Sequence, residues 1–103
     1  MVQIIALIKP FRATAVLDAL GAIDVLGCTV REAMGYGRQK GRLHRYLGSE
    51  YNDSFLPKVE VSVFVRDEDT AEAVRTIVAH ARTGRMGDGK IMVLPCLDQH
   101  VVW

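Results

Sequence analysis

The chain opens on a run, Val2 to Ile8, in which Gln3 is the one polar residue, the pattern of a strand covered on both faces. Pro10 then suits the first turn of a helix. Ala13, Val16, Leu17 and Leu20 recur at the spacing that lays an apolar stripe along one helical face, ending at or just after Gly21. From Val25 an extended segment runs through Cys28, Val30, Met34 and Tyr36, with Thr29, Arg31 and Ala33 on the alternate face and Glu32 breaking the pattern. Val59, Val61, Val63 and Val65 alternate with Glu60, Ser62, Phe64 and Arg66, the clearest period-two signal in the chain. Asp67 is placed to cap a second helix, whose expected apolar stripe is Ala71, Val74, Ile77, Val78 and Ala81. A glycine-rich turn leads to a last strand over Ile91 to Leu94.

The order strand, helix, strand, strand, helix, strand predicts an α+β fold of the ferredoxin-like βαββαβ kind, with both helices on one face of an antiparallel sheet. The other face then needs a cover. Since the strands carry apolar residues on both sides, association of several copies is the economical solution. The connection between the second and third strands, about residues 37–56, is far longer than a hairpin turn, and loops of that length in small domains usually carry function. Its first half is basic (Arg38, Lys40, Arg42, His44, Arg45) and its second half acidic (Glu50, Asp53).

Composition narrows the function classes. With 103 residues, half of them apolar, one domain over 1–103 is expected. A net charge of +1 is too small to steer the whole molecule onto nucleic acid or an anionic membrane. The basic cluster from Arg38 to Arg45 is flanked by only Tyr36 and Tyr46, without the stacking platform of single-strand binders. Cys28 and Cys96 lack CxxC spacing and His-rich company, so neither a zinc site nor a disulfide framework is readable. The first strand has no basic leader or small-residue cleavage site, and no run approaches the roughly 20 apolar residues of a membrane span. A cytoplasmic protein is expected.

Two glycine-rich stretches carry the candidate chemistry. Gly84-Arg85-Met86-Gly87-Asp88-Gly89-Lys90 has the GxxxxGK spacing of a Walker A loop, but Ile91 stands where the magnesium-binding hydroxyl belongs. The stretch also leaves a helix for a strand, the inverse of the P-loop context. What survives is closely spaced glycines that let backbone N–H groups approach an anion, with Lys90 beside them. Taken alone, the same residues read more simply as a helix C-terminal turn with an exposed lysine. Gly35-Tyr36-Gly37-Arg38-Gln39-Lys40-Gly41 misses the dinucleotide GxGxxG spacing and opens no helix. Arg38, Lys58 and Lys90 make a polyanion site if they converge and three surface cations if they do not. His44, His80 and His100 lack paired spacing, and no Ser or Cys sits on a nucleophile elbow. Nothing here calls for an enzyme; one on this fold would need an acid–base pair in a cleft that the sequence does not offer.

These segments, with Ile8-Lys9-Pro10-Phe11, Glu50-Tyr51 and Phe55-Leu56-Pro57-Lys58, resemble the P-II signal-transduction family in order from residue 2 to about 95. The resemblance implies a homotrimeric nitrogen-status sensor that binds ATP or ADP and 2-oxoglutarate in clefts between subunits. It also implies a long T-loop, about 37–56, that docks on a target such as an ammonium channel or a glutamine synthetase regulator. By the same resemblance Gly27, Thr29, Gly37, Arg38, Gly87, Asp88, Gly89 and Lys90 bind the nucleotide, and Gln39, Lys40, Gly41 and Lys58 bind 2-oxoglutarate. Gln39 would also hold a magnesium ion shared by ATP and 2-oxoglutarate, oxygen coordination being what that ion demands. Tyr51 and Ser49 match modification sites of family members, where added charge would sit at the loop tip.

The departures lie in the tail, residues 96–103, and the third strand. Val101 and Trp103 stand where the family usually carries two phosphate-gripping arginines, and Ser62 and Phe64 where it often has an acidic and a small aliphatic residue near the adenine. Two lost charge-assisted contacts, at about 1.5–3 kcal/mol each, shift the expectation away from strong ATP preference. They open an alternative: a divergent P-II-like nucleotide sensor that does not respond to 2-oxoglutarate.

Overall fold

The computed structural model describes residues 1–35, 56–85 and 87–102. Its elements are β1 (Val2–Ile8), α1 (Ala13–Leu20), β2 (Gly27–Gly35), β3 (Leu56–Val65), α2 (Thr70–Ala81) and β4 (Gly89–Pro95). The strands form one sheet in the order β2-β3-β1-β4, antiparallel at every pairing. This is the α+β, ferredoxin-like arrangement that the hydrophobic pattern predicts.

Strand alternation divides the apolar residues between the two sheet faces. Ile4, Ala6 and Ile8 of β1 and Val61, Val63 and Val65 of β3 are buried beneath the helices together with Val16, Leu20, Ala73, Ile77 and Ala81. The four alternating valines of β3 all sit on the core side, Val61, Val63 and Val65 fully buried and Val59 packed at the margin. The opposite face carries Ile5, Leu7, Phe64, Met92 and Leu94 by the same alternation, and Met92 and Leu94 are exposed in the single chain. Gln3 and Ser62 meet on that face, the amide donating to the hydroxyl at 2.9 Å, and Arg31 forks onto Glu60 there at 2.8 and 3.2 Å.

Several local expectations shift. Asp67 does not cap α2. Residues Asp67–Asp69 form a 3-10 turn first, Asp69 holds the N-cap position without a side-chain bond, and the Asp67 carboxylate pairs with the Met1 amino group at 2.7 Å. The buried stripe of α2 is Ala73, Ile77 and Ala81, four residues apart, with Val74 packed at its margin. Ala71 and Val78 therefore point to solvent. The last two strands are longer than expected, β3 beginning at Leu56 and β4 at Gly89. Cys28 and Cys96 are free thiols. No helix among the described residues is long and apolar enough to cross a membrane.

Candidate anion-binding corner

At one end of the sheet β1 finishes while β3 and β4 begin. Ile8 pairs with Val59 on one side and Gly89 on the other, so Lys58, Lys9 and Asp88 are the next residues along their strands. Three glycines shape the approach to β4: Gly84 at φ 86°, Gly87 at φ 88° and Gly89 at φ 146°, values that side-chain-bearing residues rarely adopt. At Gly89 the requirement is also spatial. A Cβ there would lie 2.1 Å from the Leu7 carbonyl oxygen, so only glycine lets β4 start against β1.

The turn closes on the Asp88 side chain. Its Oδ2 accepts the backbone N–H groups of Thr83 at 2.6 Å, Gly84 at 2.8 Å and Arg85 at 3.3 Å. Its Oδ1 accepts the Thr83 hydroxyl and lies 3.1 Å from the Lys9 ammonium. These donors, the Thr83 hydroxyl foremost, hold the carboxyl well below the usual carboxylate range. Lys58 is buried, 9% exposed, and its Nζ donates to the Gly87 carbonyl at 2.5 Å. Burial first, and Lys9 second, push its pKa below that of an ordinary lysine, with Asp88 opposing. Lys90, exposed, shares the helix-free sheet face with Met92 and Leu94. Three lysines and one carboxylate leave this corner positively charged, beside glycines whose peptides have no side chains to block them.

The sequence-derived residues fall into three groups. Gly87, Asp88, Gly89, Lys90 and Lys58 meet at the corner. Gly27 and Thr29 do not: they lie on β2, which β3 and β1 separate from β4, about 14 Å across three strand spacings. A Cβ at Gly27 would meet the Phe64 ring at an ordinary 3.9 Å, so packing within the chain does not explain that glycine. Gly37, Arg38, Gln39, Lys40, Gly41, Ser49 and Tyr51 lie outside the described residues. Among the described residues, no three His, Cys, Asp or Glu side chains converge to hold a metal ion. Val101 is 54% exposed.

Lys9 and Thr83 are the participants that sequence reasoning missed. The signal was present in the Thr83–Asp88 spacing around Gly84 and Gly87, yet nothing in a spacing tells whether an aspartate faces its own turn or a ligand. On the helix side of β4 a cleft of about 390 Å³ adjoins the corner, lined by Ile8, Ile77, Ala81 and Ile91 with Arg82.

Comparison with known proteins places this geometry. The profile of the nitrogen regulatory protein P-II family matches residues 1–102. The nitrogen regulatory protein P-II of Rhizobium etli is 50% identical over 90 residues, 87% of this chain and 80% of that protein. That of Azospirillum brasilense is 47% identical over 95 residues, 92% and 85% of the two chains. Nitrogen regulatory protein P-II 1 of Escherichia coli K12 is 46% identical over 93 residues, 90% and 83%. With the match running from the first strand through the lysine-lined corner to the tail, the chain belongs to the nitrogen regulatory protein P-II family.

Proposed function

We propose that this protein is a non-catalytic nitrogen-status regulator that binds an adenine nucleotide and 2-oxoglutarate and transmits their occupancy to a target protein through the 37–56 loop. The observation that carries the reading is the corner itself, where Lys58, Lys90 and the Gly87 and Gly89 peptides sit together at a strand end. Such a constellation suits phosphate or carboxylate oxygens, which backbone N–H groups and compact ammonium charges bind well. Lys58 would pair with a carboxylate of 2-oxoglutarate, beside Gln39, Lys40 and Gly41. Magnesium would be held by Gln39 with oxygens of the two ligands, and would tie their binding together.

The split between β2 and β4 supports an assembly with sites between subunits. One chain keeps Gly27 and Thr29 about 14 Å from Lys90, while a head-to-tail ring sets the β2 edge of one copy beside the β4 edge of the next. A homotrimer closes such a ring and covers the Ile5, Leu7 and Met92 face. The target is of the ammonium-channel or glutamine-synthetase-regulator kind, and modification at Tyr51 or Ser49 would add charge to the docking loop.

Equilibrium titration of ATP, ADP and AMP tests the nucleotide half. The protein binds at least one of them, and Lys90→Gln weakens that binding about tenfold or more, the equivalent of one charge-assisted contact. Absence of binding by all three would remove the proposal. A second reading, a nucleotide sensor indifferent to 2-oxoglutarate, draws on the tail: residues 96–102 hold no lysine or arginine, and Val101 is exposed rather than packed.

A further inference from the structure

We infer that Asp88 is a positioning residue that fixes the anion-accepting shape of the turn, and that its carboxylate is not itself a ligand contact. The inference rests on the proposed anion role of the corner. Every interaction of Asp88 runs inward. One oxygen gathers three consecutive N–H groups, from Thr83, Gly84 and Arg85, and the other takes the Thr83 hydroxyl and the Lys9 ammonium. A carboxylate so engaged has little left to offer a ligand, and facing a phosphate it would repel.

Its value lies in what it restrains. Gly84, Gly87 and Gly89, all at positive φ, would otherwise give the segment the widest conformational freedom a chain can have. A ligand would then have to order the Gly87–Lys90 peptides at its own expense, which lowers affinity. Asp88 closes the turn before any ligand arrives, and through Lys9 it ties that turn to the end of β1. Thr83 and Lys9 are thus part of the same device, although neither needs to touch the ligand.

Electrostatics and positioning predict opposite signs, which makes the idea testable. Removing a carboxylate from beside a polyanion site should tighten polyanion binding if charge alone matters. Positioning predicts a loss. Binding of ATP and of inorganic tripolyphosphate is compared for the unaltered protein, Asp88→Ala and Asp88→Asn, alongside hydrogen exchange of the residue 83–85 amides without ligand. The expected result is a tenfold or greater weakening and loss of amide protection in Asp88→Ala. Asp88→Asn, which keeps an oxygen to accept the N–H groups, regains part of both. Equal or tighter binding by Asp88→Ala overturns the inference, as does weakened binding with the 83–85 amides still protected. Failure of the unaltered protein to bind either anion is the distinct signature of a wrong site assignment, and the positioning role falls with it.

Discussion

Adding one methyl group at Gly89 and at Gly84 should have very different costs, although both glycines sit at positive φ. At Gly84, φ is 86° and nothing lies within 4 Å of a built Cβ, so alanine meets only the left-handed penalty of about 1–2 kcal/mol. Part of that is returned, about 0.4–1 kcal/mol, because alanine restricts the unfolded chain. A net loss of about 1 kcal/mol follows. At Gly89, φ is 146° and the new Cβ would stand 2.1 Å from the Leu7 carbonyl oxygen, with Ile8 Cα at 3.3 Å. The backbone strain there is about 1–3 kcal/mol, and relief of the contact requires β4 to move off β1. Losing the ladder bonds beside Leu7 and Ile8 adds about 1 kcal/mol each, for a total of roughly 3–5 kcal/mol. Urea unfolding at one fixed protein concentration measures both variants, since assembly shifts apparent stability. A Gly89→Ala loss no greater than that of Gly84→Ala would refute the close approach of β4 to β1 at this end of the sheet.

Other perturbations probe the core, the assembly and the ligand site. Ile77→Ala removes a side chain with no exposed surface and should cost about 2–5 kcal/mol, read as a lower urea midpoint. Met92→Glu alters a residue that is exposed in the single chain, so the fold should persist by circular dichroism while light scattering shows the proposed trimer lost. Lys58→Met should weaken 2-oxoglutarate about 10- to 150-fold, the worth of a charged hydrogen bond at about 1.5–3 kcal/mol, with a smaller effect on nucleotide. If Lys58 pairs with the ligand carboxylate as proposed, it must do so as the ammonium, whose pKa is lowered chiefly by burial. Affinity for 2-oxoglutarate, followed by calorimetry, should therefore fall with rising pH before an ordinary lysine would titrate.

Periodicity made much of the fold legible. The valine alternation in β3 and the apolar run in β1, broken only by Gln3, are direct records of where the sheet is covered, and the two helices follow from stripes such as Val16 and Leu20. Ala71 was misassigned because alanine is apolar enough to join any stripe, and only packing against α1 and the sheet shows that Ala73 is the inward one. Asp67 reads as a cap by type, yet the Met1 amino group competes for its carboxylate. The candidate site was legible as glycines and lysines but not as geometry. The convergence of Lys9, Lys58 and Asp88 depends on strand register across 79 residues of sequence, which no local spacing encodes.

The most direct test of a nucleotide- and 2-oxoglutarate-sensing role is a calorimetric titration of 2-oxoglutarate into the protein with and without ATP and magnesium. Linked sites predict that ATP with magnesium raises 2-oxoglutarate affinity about fivefold or more. Binding of 2-oxoglutarate that is undetectable in both conditions, or unchanged between them, would contradict it.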